Sequence, residues 1–171
     1  MKKIFYLAAI ACITLLTSCE GMDLPHTGDI TGNIYNIWRL NKKTEAVQTD
    51  DGIKTNDYDY TKVHFYLVLS EFPVPHAIAK KGSLSDLDLD DVDVDGSTFS
   101  FNADQRKISF KKVLWLSDEL LTYNMVLTGT FNVLELTDTK LVISQEETFV
   151  KRTVTYTFEK ALPKGSNVGA D

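Results

Sequence analysis

From Val63 onward, apolar side chains fall at every second position in one short run after another, and this period of two constrains the fold more than any other feature of the chain. Val63, Phe65, Leu67 and Leu69 alternate with His64, Tyr66, Val68 and Ser70, and the prolines of Phe72-Pro73-Val74-Pro75 end that run by withholding two amide donors. Phe99 and Phe101, then Ile108 and Phe110, alternate on either side of Asn102-Ala103-Asp104-Gln105, which reads as a hairpin. Tyr123, Met125, Leu127, Phe131 and Val133 share one face around Gly129, where a long strand is expected to bend. Asp138-Thr139-Lys140 turns the chain, Leu141 to Ile143 pairs back, and Val150, Val154, Tyr156 and Phe158 complete the last strand. The β-branched and aromatic stretch Ile30 to Leu40 predicts a first strand, followed by a polar excursion over 41–59 that forms a hairpin tip or a long loop. Single helical turns are expected over 76–84 and after Ser117-Asp118-Glu119. About eight short strands with no sustained helical period predict an all-β antiparallel meander, and such a sheet closes into a barrel to remove its exposed edges.

The first residues carry a different message. Lys2 and Lys3 precede an apolar run from Ile4 to Leu16, which suits the core of a secretory signal and falls short of the about 20 residues a membrane-spanning helix needs. The quartet Leu16-Thr17-Ser18-Cys19 resembles the lipobox of bacterial lipoproteins. That resemblance implies cleavage before Cys19, a diacylglyceryl group on its sulfur, and acylation, of the palmitate type, on its freed amine. It places the chain in the cell envelope, anchored by lipid to the outer membrane, with the periplasmic leaflet and the cell surface both open. Glu20 and Asp23 resemble in part the acidic signal that sends related lipoproteins to the surface. The expected organisation is then a leader over 1–18, a lipidated cysteine and tether over 19–29, one barrel over 30–162 and a polar tail over 163–171.

Charge and cysteine content narrow the partners. The chain holds 18 Lys and Arg against 24 Asp and Glu, a net charge of −6, and the leader would take Lys2 and Lys3 without an acid. So acidic a surface argues against nucleic acid and against adhesion to anionic membrane by charge alone. Of the two cysteines, Cys12 leaves with the leader and Cys19 is consumed by lipid, so no thiol is left for a disulfide, a zinc site or a nucleophile.

A second resemblance concerns the fold. LTGTFNVLELTDTKLVIS (127–144) and TVTYTFEK (153–160) resemble the closing strands of the lipocalin-like lipoprotein domains of Bacteroidetes, and Ile37-Trp38-Arg39-Leu40 resembles their first-strand tryptophan. One position departs: a glycine stands two residues before that tryptophan in the group, and here it is Asn36. The resemblance implies a barrel and leaves 41–95 uncovered. Function is not implied by the fold.

Three chemistries have candidate residues. Asp91-Val92-Asp93-Val94-Asp95-Gly96 opens like an oxygen-ligand calcium loop, but its twelfth position is Asn102 instead of a bidentate Glu. Asp91, Asp93 and Asp95 are thus candidate calcium ligands, the other reading being a solvated acidic edge that discourages strand pairing. Glycoside hydrolysis by paired carboxylates has candidates only in the sense that any acidic chain does. No nucleophile elbow, zinc-protease helix or phosphate loop is present, and the three histidines, His26, His64 and His76, are scattered. For binding, Trp38, Tyr66, Trp115 and Tyr123 are the large amphipathic residues expected near a barrel cavity. The sequence therefore points to a non-enzymatic, lipid-tethered barrel that binds a small apolar ligand or an envelope protein. The alternatives are an accessory subunit whose packed barrel presents loops 41–59 and 71–96, and a hydrolase.

Overall fold

The alternating runs become nine strands, and eight of them close into an antiparallel barrel. The computed structural model describes residues 27–86 and 96–161. The strands are β1 (Ile37–Thr49), β2 (Gly52–Asp59), β3 (Phe65–Ser70), β4 (His76–Lys81), β5 (Ser97–Asn102), β6 (Lys107–Ser117), β7 (Asn124–Leu136), β8 (Lys140–Glu147) and β9 (Arg152–Lys160). From β3 to β9 each strand pairs with the next, and β9 returns to β1 along almost its whole length. The ninth, β2, is an outrigger: it covers the later half of one β1 edge, while β3 takes the earlier half. Closure leaves the core inside, where Trp38, Leu40, Phe65, Leu67, Ile108, Leu127, Phe131, Leu141 and Phe158 are fully buried.

Strand direction gives the barrel two distinct ends. The connections at 71–75, 103–106 and 137–139 lie at one end, and those at 50–51, 118–123 and 148–151 at the other. The first end is closed from below by the segment 27–36. There Thr31 and Gly32 donate to the Leu136 carbonyl, Leu136 donates to Asp29, and Arg106 donates to the Gly28 carbonyl. Ile34 enters the core, its carbonyl accepts the Trp38 indole N–H at 2.8 Å, and the Tyr35 ring meets Phe99. The chain thus arrives at the closed end.

Several expectations need correcting. Residues 30–36 form this underlying segment, joined to β7 by an Ile30–Leu136 bridge, and the first strand starts at Ile37 because Trp38 must reach inside. Of the two readings of 41–59 the hairpin holds, with its tip at 50–51 and β2 exposed along most of its length, and the long loop does not. The expected helical turn over 76–84 is β4, whose Ala77 and Ile78 are needed on two buried faces, followed by a short 3-10 turn at Leu84–Asp86. After Ser117 the chain makes a bend, and Val150 lies outside β9 in a 3-10 turn at Thr148–Val150. β3 is buried on both faces: Tyr66 and Val68 form a second cluster with Ile37 and Ile78, against which Ala161 and Leu84 pack. The expected kink at Gly129 is present. Gly129 has φ +68° and faces Phe110, where the β6–β7 register slips before Leu114. The leader, Cys19, the tether up to residue 26, the aspartate run 87–95 and the tail from 162 lie outside the described residues.

Gly32 is held against β7 by space, not by conformation: a Cβ there would sit 2.2 Å from the Thr137 carbonyl oxygen, a backbone atom with nowhere to go. Gly32→Ala is expected to lower the unfolding free energy by roughly 1–3 kcal/mol in urea titrations, as overpacking does.

Candidate functional site

A one-residue slip builds the site. Below it, Trp38 and Leu40 of β1 face inward opposite Lys160 and Phe158, but the β1–β9 register shifts between Leu40 and Lys42. Above the slip, Lys43 lies opposite Tyr156 and Glu45 opposite Val154, so two charged residues replace apolar ones on the inner face. On β8 and β9 the inward positions also turn polar toward this end, from Leu141 and Ile143 to Gln145 and Glu147, and from Phe158, Tyr156 and Val154 to Arg152. Together with Asn124, Val126, Thr128 and Phe131 of β7 they line a cleft of about 140 Å³ at the open end.

The cleft exists because β7 and β8 part. Their pairing runs from Asn132 with Ser144 down to Leu136 with Leu141 and stops there. Above it, β7 keeps β6 on one edge, and its β8-facing edge is met by side chains instead of a strand. The Tyr60 hydroxyl donates to the Asn124 carbonyl at 2.6 Å and accepts from the Asn124 amide at 2.9 Å. The Tyr156 hydroxyl does the same at Val126, both at 3.2 Å. Gln145 Nε2 donates to the carbonyls of Thr128 and Thr130. At Asn124 and Val126 both backbone groups are thereby satisfied, and at Thr128 and Thr130 the carbonyls are.

Inside the cleft the charges form a chain. Lys43 Nζ is 2.8 Å from both Asn124 Oδ1 and Glu45 Oε1, and lies over the rings of Tyr58 and Tyr156 at 5.8 and 5.9 Å. This is how a nearly fully buried ammonium is tolerated: a counter-charge, an amide oxygen and two aromatic faces replace its water. Arg152 reaches Glu147 Oε2 through Nε at 3.0 Å and Nη2 at 2.6 Å, and its Nη1 is 3.7 Å from Glu45. Burial pushes the Tyr156 hydroxyl up to about 12 against the pull of its Val126 hydrogen bond, and Glu45 and Glu147 add to the rise. Burial raises Tyr60 in the same direction. Two cations and two anions, mutually paired, make a cleft suited to one small polar group or one side chain. Its volume is well under the about 300–1,000 Å³ of ordinary ligand pockets.

The residues singled out by sequence lie elsewhere. Trp38 and Tyr123 belong to the main core, with Tyr123 edge-on to Tyr60 at 5.0 Å. Tyr66 is in the cluster on the opposite face of β3, and Trp115, 58% exposed, stands on the outer wall opposite Val126. None of the four lines the cleft. His64 is exposed, and His76 is buried with Nδ1 3.0 Å from the Val74 carbonyl. The calcium candidates Asp91, Asp93 and Asp95 lie outside the described residues, and among the described residues no three His, Cys, Asp or Glu side chains are grouped to hold a metal. The missed residues are Lys43, Glu45, Gln145, Glu147 and Arg152. On β8 and β9 they were readable as polar residues continuing an apolar parity, whereas on β1 the slip hides them. Comparison of the chain with family models, with curated proteins and with solved structures gives no match.

Two outcomes follow for the cleft. In the unfolded chain Tyr156 ionises near its ordinary value of 10, and in the folded chain near about 12. Between these limits the unfolded state has released a proton that the folded state keeps, so stability is full below pH 10 and falls as pH rises to 12. Urea unfolding over this range should show that fall, shallower in Tyr156→Phe. For the ion chain, Glu45→Gln is expected to cost about 3–5 kcal/mol because it strands the Lys43 ammonium. Lys43→Met is expected to cost less, since Glu45 retains Arg152, and the double variant should fall short of the sum by about 0.5–3 kcal/mol.

Proposed function

We propose that this chain is a lipid-anchored barrel of the cell envelope, tethered through Cys19 in the outer membrane, that acts by binding a partner protein and performs no chemistry of its own. The observation carrying this reading is that the barrel interior is occupied by the protein's own side chains. Trp38, Tyr60, Phe65, Phe131 and Phe158 fill it, and a run of ring contacts links Phe99, Phe110, Phe131, Tyr156 and Phe158 across the sheet. A small apolar ligand would have to enter the cleft at the open end, where it would separate Lys43, Glu45, Glu147 and Arg152 from one another without replacing their contacts. The filled barrel therefore favours the accessory-subunit reading over the ligand carrier. The hydrolase reading gains no support, because the cleft carboxylates Glu45 and Glu147 are each engaged by a cation. The described chain begins at the closed end, at residues 27–36, so a lipid on Cys19 would put the anchor nearer that end than the open one.

Titration with the apolar fluorophore N-phenyl-1-naphthylamine and native isolation from membranes test this. Expected are no saturable fluorophore uptake, a discrete protein co-isolated with the wild-type chain, and release of the Cys19→Ser variant from the membrane fraction. Stoichiometric uptake of the fluorophore would instead make the protein a carrier.

A further inference from the structure

Two turns frame the mouth of the cleft, and both hold apolar side chains out in water. The turn 118–123 runs directly into Asn124 and carries Leu120 and Leu121, 83% and 65% exposed. The turn 148–151 joins Glu147 to Arg152 and carries Phe149, 100% exposed, beside half-exposed Val150. On the outer wall below the first turn, Trp115 and Val126 face each other across β6 and β7, with Val113 exposed nearby, which extends the apolar surface. Scattered apolar residues on a surface need no explanation, but a set gathered around one cleft marks an interaction site. The fold itself does not ask for these residues. Leu121 sits at φ +55°, a left-handed conformation in which its Cβ is crowded and glycine would be relaxed, and its side chain points to no core that would offset the strain.

Charge and chain direction select the occupant. Among the described residues the turns at 50–51, 118–123 and 148–151 carry Asp50, Asp51, Asp118 and Glu119 against Lys151, while in the cleft Glu45 and Glu147 are balanced by Lys43 and Arg152. Acidic turns repel anionic lipid headgroups and repel a second copy of the same surface. The described chain begins at the opposite end of the barrel, where residues 28–32 bond to Arg106 and Leu136, so on the tethered reading these turns lie at the end away from the anchor.

We propose that the open end of the barrel is the docking surface for a basic protein of the envelope, which seats apolar residues on Leu120, Leu121, Phe149 and Val150 and sets its cations against Asp50, Asp51, Asp118 and Glu119. Buried anchors surrounded by apolar contacts carry most of the binding energy at such interfaces. This rests on the partner-binding reading above.

The experiment places a photo-cross-linking residue at Leu120, at Phe149 or, at the opposite end, at Phe72 (77% exposed), in the full chain in its own membrane. Expected is one adduct with a different protein at 120 and 149 and none at 72, with Lys or Arg in the cross-linked peptide. Co-isolation of that protein should fall at least tenfold in L120D/F149D, stay unchanged in F72D, and weaken as salt is raised. Adducts with lipid, adducts of twice the chain's own mass, or an adduct at 72 alone or equally at all three positions overturn the docking surface while leaving a tethered binding protein. No adduct at any position removes both.

Discussion

A slip of one residue between Leu40 and Lys42 in the pairing of β1 with β9 decides what the inside of this barrel is made of. In an unbroken ladder the parity that buries Trp38 and Leu40 would carry on and leave Lys43 and Glu45 on the outer wall. The slip turns them inward instead, opposite Tyr156 and Val154. Everything particular to the open end then becomes obligatory. An ammonium brought inside needs a counter-charge, Glu45 needs Arg152 as well as Lys43, and Arg152 is steadied by Glu147. The lower barrel, where the register is regular, needs only apolar packing.

The parting of β7 from β8 follows the same logic. A strand edge buried without partners is costly, so three side chains take the place of the missing ladder: Tyr60 from beyond the outrigger β2, Gln145 from β8 and Tyr156 from β9. Tyrosine suits the task because one hydroxyl both donates and accepts, and can therefore satisfy the amide and the carbonyl of a single residue. The rings of Tyr60 and Tyr156 remain in the core while their hydroxyls bond β7, and Tyr156 also lines the cleft, so it belongs to the packed interior and the polar mouth at once. Lys43 joins them, with the Tyr156 ring beneath its ammonium and Asn124 of β7 beside it. The cleft is thus walled by strand residues that hydrogen-bond one another across the gap.

The two ends of the barrel divide the work. At the closed end, Gly32 lies so near the Thr137 carbonyl that only a residue without a side chain fits, and Ile34 and Tyr35 close the core from below. At the other end, apolar side chains stand exposed around paired charges. The described chain thus enters at the end sealed by backbone contacts, and its exposed apolar side chains gather at the end that holds the cleft.

Much of this was legible before any coordinates. Alternation is a local property, so the runs around Phe65, Phe99, Ile108, Tyr123 and Phe158 announced strands, the turns at 102–105 and 138–140 announced hairpins, and Gly129 announced a bend, each from side chains a few residues apart. The cleft was not legible from β1, because the parity of Lys43 and Glu45 depends on a slip defined only against β9, more than a hundred residues later in the chain. Nor was the fate of the four aromatics: Tyr66 and Trp115 read as cavity residues until pairing set one on the outer cluster and the other in water. What the chain's own order of residues determined is which segments extend and which turn, since that is settled by steric and hydrophobic preferences between neighbours. Which side of each strand faces inward at the mouth, and hence where charge is buried, was decided only when the sheet closed, because the face of a strand has no meaning until another strand lies beside it.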